Sequence, residues 1–160
     1  MRIETPLGPL QIQGTADAVT AVTWGPGADD DSSPSTVVEQ AAEELVEYLA
    51  GERRTFDVPL DLGRVGGFQR GVLDLTLAIP YGRTRAYGEL AAELGEPGLV
   101  RAVGGALKHN PIAIIVPCHR VVAADGALTG YGGGPTTGGR LDVKRALLEI
   151  EQGAFQQPLF

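Results

Sequence analysis

Apolar and polar positions alternate in two stretches near the start of the chain. Ile3 to Gln13, broken by turn signals at Pro6, Gly8 and Pro9, and Ala18 to Trp24 are expected to be short strands. GPGADDDSSPS (residues 25–35) has the Gly, Pro, Asp and Ser content of a loop. The period then changes. Val38, Ala41, Ala42, Leu45, Val46 and Leu49 fall on one helical face, with Gly51 as the stop. Thr36 with Glu39 has the spacing of a capping box, so the helix is expected to open at Thr36. Thr55 to Leu60 is predicted as a further strand, and DLGRVGG (residues 61–67) as a joint between lobes.

The second half is predicted to be mostly helical. Phe68, Val72, Leu75, Leu77 and Ile79 give an apolar helix ended by Pro80. RTRAYGELAAELG (residues 83–95) places Tyr87, Leu90, Ala91 and Leu94 at helical spacing, with Gly95 as its stop. After Glu96–Pro97–Gly98, residues 99–108 form a second short helix with Val100, Val103 and Leu107 inward. Two short helices around a tight Gly-containing turn are the plan of a helix-turn-helix. The expected fold class is α+β: a small N-terminal sheet-and-helix lobe over residues 1–62, then a mainly helical lobe over 63–160.

Charge changes this picture in one respect. A net charge of −7 argues against a nucleic-acid partner, whose phosphates favour basic surfaces. The acids are concentrated in residues 1–62, with three Arg and no Lys against twelve Asp and Glu. Residues 63–160 carry ten Arg and Lys against eight acids. The second lobe is therefore where phosphate contact is expected, with the first as scaffold. Hydrophobic residues at 43% and charged residues at 21% describe a globular chain without a membrane span or secretory leader. One cysteine and two histidines are too few for an intramolecular disulfide or the usual zinc clusters. A cytoplasmic monomer without metal is expected.

PIAIIVPCHRVV (residues 111–122) holds the chemistry. A buried apolar run, Ile112 to Val116, leads into Pro117, which biases Val116 toward an extended shape. The sole cysteine, Cys118, follows, with His119 and Arg120 beside it and a Gly-rich segment beyond. A lone cysteine is more often an inert core filler. Positive or hydrogen-bonding neighbours enrich the thiolate, the reactive form of the side chain.

These residues carry a resemblance. IPYGRTRAYGELA, then RAVGGALKHNPIAIIVPCHRVV, then GALTGYGGG, are similar in order and spacing to the O6-methylguanine-DNA methyltransferase family. The likeness covers roughly residues 68–151, with an echo at TPLGPL, and PCHR is its most specific part. It implies repair of double-stranded DNA carrying O6-alkylguanine, with O4-alkylthymine as a further possible substrate. The alkyl group passes once and irreversibly to Cys118, without a cofactor. His119 would take the thiol proton through a bound water, and Glu151, at the end of LLEIE, would orient His119. Asn110 would tie the preceding turn to the cysteine region. In this family the second helix enters the minor groove and the base is flipped out of the stack. Arg101 would fill the vacated space. Tyr87 would push on the phosphate and then donate to the flipped base. Ala102, Gly104 and Gly105, with Ala106, would allow close approach to the groove or serve tight helix packing. Tyr131 and Gly132 would line the pocket, and the carbonyls of Cys118 and Val121 would accept from the guanine amino group.

Three departures stand out. Leu73 occupies a position where relatives usually have Trp, a packing change. The segment GGGPTTGGRLDVK (residues 132–144) is longer than usual, and Lys108 with His109 is a plausible phosphate contact in a variable stretch. Competing readings are a damaged-base binder that performs no transfer, which Cys118 argues against; a thiol hydrolase; and a transcription regulator, for which the chain lacks an added module.

Overall fold

The computed structural model describes residues 1–27, 32–128 and 140–153. An antiparallel sheet of β1 (Arg2–Thr5), β2 (Gly8–Gly14) and β3 (Val19–Trp24), in that order, opens the chain. The period-two pattern places Leu10, Ile12, Val19, Val22 and Trp24 in the core. At the β1–β2 turn, Thr5 Oγ1 donates to the Gly8 carbonyl (2.6 Å) and accepts from the Leu7 amide (3.2 Å). Gly8 has φ +120°, which a side chain would resist.

Helix α1 (Thr36–Leu49) lies against this sheet. Its cap is Ser35 rather than Thr36: the Ser35 hydroxyl accepts from the Val38 amide at 3.3 Å. Glu39 therefore lies one position too far along for the expected capping box, and serves instead as an acid in the first turn. The buried face is also rotated. Val46 is 52% exposed, whereas Tyr48 is fully buried, because the second lobe covers the Tyr48 edge of the helix. Residues 55–60 do not form the expected strand. Only Leu60 makes a bridge, parallel to Val19, and Pro59 and Asp61 bond to the backbone of Val19.

Helix α2 (Gly67–Leu77) ends before Ile79, whose buried side chain belongs to the following turn; Leu77 is exposed. Leu73 is completely buried, as a packing residue should be. Residues 83–86 are not helical: β4 (Arg85–Ala86) pairs in parallel with β5 (Val121–Val122), Arg85 opposite Val121 and Ala86 opposite Val122. Helix α3 (Tyr87–Glu93) begins immediately after, so this pairing sets Tyr87 beside the cysteine region. Gly95, at φ +77°, turns the chain toward α4 (Val100–Lys108). A 3-10 turn (Cys118–Arg120) and α5 (Leu141–Glu151) complete the described elements.

The lobes share one core. The Val22 amide donates to the Pro111 carbonyl (2.9 Å) and the Ala113 amide to the Val22 carbonyl (3.0 Å), so β3 holds the segment leading to Cys118. Among the described residues the architecture is α+β: a three-stranded sheet, the short β4–β5 pairing and five α-helices. Among the described residues, no helix is long and apolar enough to cross a membrane.

Candidate active site

The apolar run before Cys118 is not a straight strand. After the bridge to β3 it turns tightly, with the Ile115 amide on the Ala113 carbonyl (2.8 Å) and the Val116 amide on the Ile112 carbonyl (3.0 Å). Ile114 takes φ +70°, which for a β-branched residue costs on the order of 1–3 kcal/mol. Asn110 sustains the turn from inside. Its Nδ2 donates to the Val116 carbonyl (2.9 Å) and its Oδ1 accepts from the Ile112 amide (3.0 Å). Pro117 and the 3-10 turn then deliver Cys118, His119 and Arg120 into the core.

Around Glu151 the buried polar groups converge. His119 Nε2 lies 2.6 Å from Glu151 Oε2. Arg120 Nε donates to Oε1 (2.9 Å) and its Nη2 to Oε2 (3.0 Å), a forked contact; Nη1 donates to the Ile79 carbonyl (2.6 Å). The Gly82 amide donates to Oε1 (3.0 Å), and the Tyr48 hydroxyl donates to Oε2. Burial alone would raise the Glu151 carboxyl, but these donors prevail and bring it down to about 2. Burial lowers the His119 imidazole, assisted by the charges of Arg120 and Lys144 and opposed by Glu151. An ionised carboxylate facing a neutral imidazole fixes hydrogen on Nε2. Nδ1 is then a bare lone pair, buried and without a protein partner.

Cys118 departs from expectation. Its side chain is buried, 5% exposed, and burial pushes the thiol up, opposed by the Asn110 side chain and the Lys144 charge. Arg120, the adjacent cation, is committed to Glu151. Burial thus favours the thiol over the thiolate. Lys144 supplies the positive charge that Arg120 was expected to give. Its ammonium is almost fully buried and donates to the Val121 carbonyl (2.7 Å) and the Tyr87 hydroxyl (3.1 Å). Val121 thus already has one donor, and a second lone pair remains.

Helix α4 presents a separate surface. Arg101, Ala102, Gly105, Lys108 and His109 are exposed and follow one another at helical spacing. A Cβ placed at Gly104 or Gly105 would meet no atom of the rest of the protein within 4 Å. These glycines therefore do not serve internal helix packing; that role falls to buried Val103, Ala106 and Leu107. Val100 was expected inward but is 41% exposed, as is Leu99, leaving an apolar pair beside Arg101. Tyr131 and Gly132 lie outside the described residues. Cys118, His119, Glu151, Asn110, Tyr87 and Val121 thus gather around one buried centre, with the Arg101 face at the surface.

Sequence reasoning missed Tyr48, Lys144 and the orientation of Arg120. Tyr48 follows Ala41 and Leu45 on the apolar face, and a buried Tyr hydroxyl requires a polar partner, but nothing local says which. Lys144 reads as an ordinary helix cation until its depth is known. Among the described residues, no group of three His, Cys, Asp or Glu could hold a metal ion.

Both halves of the chain match a known family. Residues 2–62 match the profile of the "6-O-methylguanine DNA methyltransferase, ribonuclease-like domain", and residues 67–153 that of the "6-O-methylguanine DNA methyltransferase, DNA binding domain". A methylated-DNA--protein-cysteine methyltransferase of Mycobacterium tuberculosis is 47% identical, covering 94% of this chain and 90% of its own length. The constitutive enzyme of that name from Bacillus subtilis is 39% identical, covering 96% and 95%. A crystal structure of Mycobacterium tuberculosis OGT in complex with DNA superposes with TM-score 0.82 at 46% identity, over 96% of this chain and 92% of that one. An O6-methylguanine DNA methyltransferase from Methanococcus jannaschii gives 0.65 at 29% identity, over 100% and 96%. The chain belongs to the 6-O-methylguanine DNA methyltransferase family.

Proposed function

We propose that this protein repairs double-stranded DNA by moving the alkyl group of O6-alkylguanine onto Cys118, once per molecule. The observation that carries the reading is the buried His119, clamped at Nε2 by an ionised Glu151 with Nδ1 unpartnered, beside a protonated cysteine. His119 Nδ1 takes the thiol proton through a bound water, and Glu151 stabilises the imidazolium that forms. The thiolate attacks the alkyl carbon, the carbon–O6 bond breaks, and the electron pair leaves with guanine as an anion. Tyr87 supplies a proton to that leaving base, and the Lys144 ammonium at 3.1 Å steadies the phenolate left behind. Asn110 keeps the turn that aims the sulfur, and the Cys118 and Val121 carbonyls select the guanine amino group.

Reaching a buried sulfur requires the base to leave the duplex, at a cost of a few kcal/mol. The α3–turn–α4 unit acts as a helix-turn-helix, with α4 in the minor groove and Arg101 occupying the gap. The open Arg101–Gly105 face supports this, as does a relative whose crystal structure contains DNA. Tyr131 and Gly132 complete the pocket. Residues 63–160 carry the reaction as a monomer, in the cytoplasm, with residues 1–62 as their support. O4-alkylthymine would fit the same attack. A titration of methylated duplex with protein tests the reading. Repair should stop at one lesion per chain; continued turnover, or none, overturns it.

A further inference from the structure

The N-terminal lobe reaches the reacting groups at Tyr48. Tyr48, in the last turn of α1, is fully buried, and its hydroxyl donates to Glu151 Oε2 while its oxygen lies 3.1 Å from His119 Nε2. Its ring packs against Phe56 (centroids 5.4 Å apart) and edge-on to Tyr81 (6.1 Å), which leaves the hydroxyl a single direction. Burial and the adjacent Glu151 charge raise its pKa, so the hydroxyl stays a donor to the carboxylate. Both oxygens facing Nε2, from Tyr48 and Glu151, are then acceptors with respect to the imidazole. Hydrogen belongs on Nε2 and the lone pair on Nδ1.

We infer that Tyr48 is a positioning residue of the transfer reaction, its hydroxyl sharing Glu151 Oε2 with His119 so that the imidazole rests neutral with Nδ1 turned to the Cys118 proton. The inference rests on the alkyl transfer described above and assigns the N-terminal lobe a part in it. The charged and titratable groups around His119 are Glu151 and Lys144 from α5, Arg120 and Cys118 from the 3-10 turn, Tyr48 from α1, and Tyr81 on the turn after α2. Of these, Tyr48 is a neutral donor that withdraws charge from the oxygen His119 uses. Without it that oxygen's charge falls on the imidazole, which then protonates more readily and is a base over a narrower range of pH.

Tyr48→Phe keeps the ring and removes the hydroxyl. Single-turnover transfer on methylated duplex, followed against pH, should be about tenfold slower, as loss of one such hydrogen bond implies. Its acid limb should move to higher pH. Side-chain nitrogen NMR of the two histidines should show the same upward move for His119, with exposed His109 as the internal reference. Phe56→Leu, which loosens the ring packing but spares the hydroxyl, should lower Tm and leave both titrations in place. Superimposable pH profiles and His119 titrations for Tyr48→Phe and parent overturn the inference, whatever happens to Tm. So does a Phe56→Leu variant that moves the limb equally. A parent that performs no transfer at any pH refutes the repair reaction instead, and the NMR titration still reports what Tyr48 does to His119.

Discussion

Gly105→Leu separates stability from function on helix α4. A Cβ at this position meets no atom of the rest of the protein within 4 Å, and the residue is exposed with ordinary helical φ. The fold therefore has no reason to reject it. Leucine is favoured over glycine in a helix by about 0.8 kcal/mol, so the variant should be more stable by roughly that amount. For a chain of this size that is a rise in Tm of about 2–4 °C. The groove into which α4 is proposed to fit is only about 6 Å wide, and Gly105 lies one turn beyond Arg101 on the same face. A leucine there holds the helix backbone away from the sugar edges and withdraws Arg101 from the stack. We expect affinity for lesion-bearing duplex to fall at least about tenfold, about 1.4 kcal/mol, with slower transfer. Calorimetry and fluorescence anisotropy on one preparation read both numbers. A variant that is stabilised yet binds duplex like the parent would show that this face does not enter the groove. A destabilised variant would show that the space around Gly105 is not open.

Other consequences are as direct. Arg101→Ala should fold normally, bind duplex more weakly and transfer more slowly; parent-like binding and transfer in anisotropy and single-turnover assays would remove its role in holding the gap. Lys144→Met should slow transfer more than it weakens DNA binding, because the Tyr87 and Val121 oxygens lose a shared donor; an unchanged single-turnover rate would exclude it. Glu151, at about 2 in the folded protein against 4.5 when unperturbed, contributes stability that is fully present above 4.5 and lost as pH falls through 2, on the order of 3 kcal/mol. His119, lowered on folding, acts in the same direction below its ordinary value of 6.5. Denaturant midpoints should therefore fall with acid in the parent and change less in Glu151→Gln; parallel curves would contradict this.

Local chemistry was legible in the sequence, and long-range partnership was not. The strands, α1, α3 and α4 follow from apolar spacing, because each buries one face against a neighbour. Ser35 rather than Thr36 caps α1 because two adjacent hydroxyls compete for the same amides and a one-residue shift decides the winner. Residues 55–60 read as a strand through their alternation, yet they find only the edge at Val19 and make a single bridge there. The β4–β5 pairing was invisible, being two residues long and joining positions 36 apart. At the site, PCHR pointed to the proposed nucleophile and its proposed base. The charge that lowers the thiol came from Lys144, while Arg120 turned toward Glu151, a residue thirty-one positions away. Depth also reversed the expected ionisation of Cys118: adjacent cations predict a thiolate, whereas burial in the folded core favours the thiol.

The most direct measurement is the intact mass of the protein before and after incubation with duplex containing O6-methylguanine, followed by peptide mapping. The account predicts a gain of one methylene per chain, located on Cys118, and no gain in Cys118→Ala, which still binds the duplex. An unmodified parent, or a methyl group found on any other residue, would contradict it.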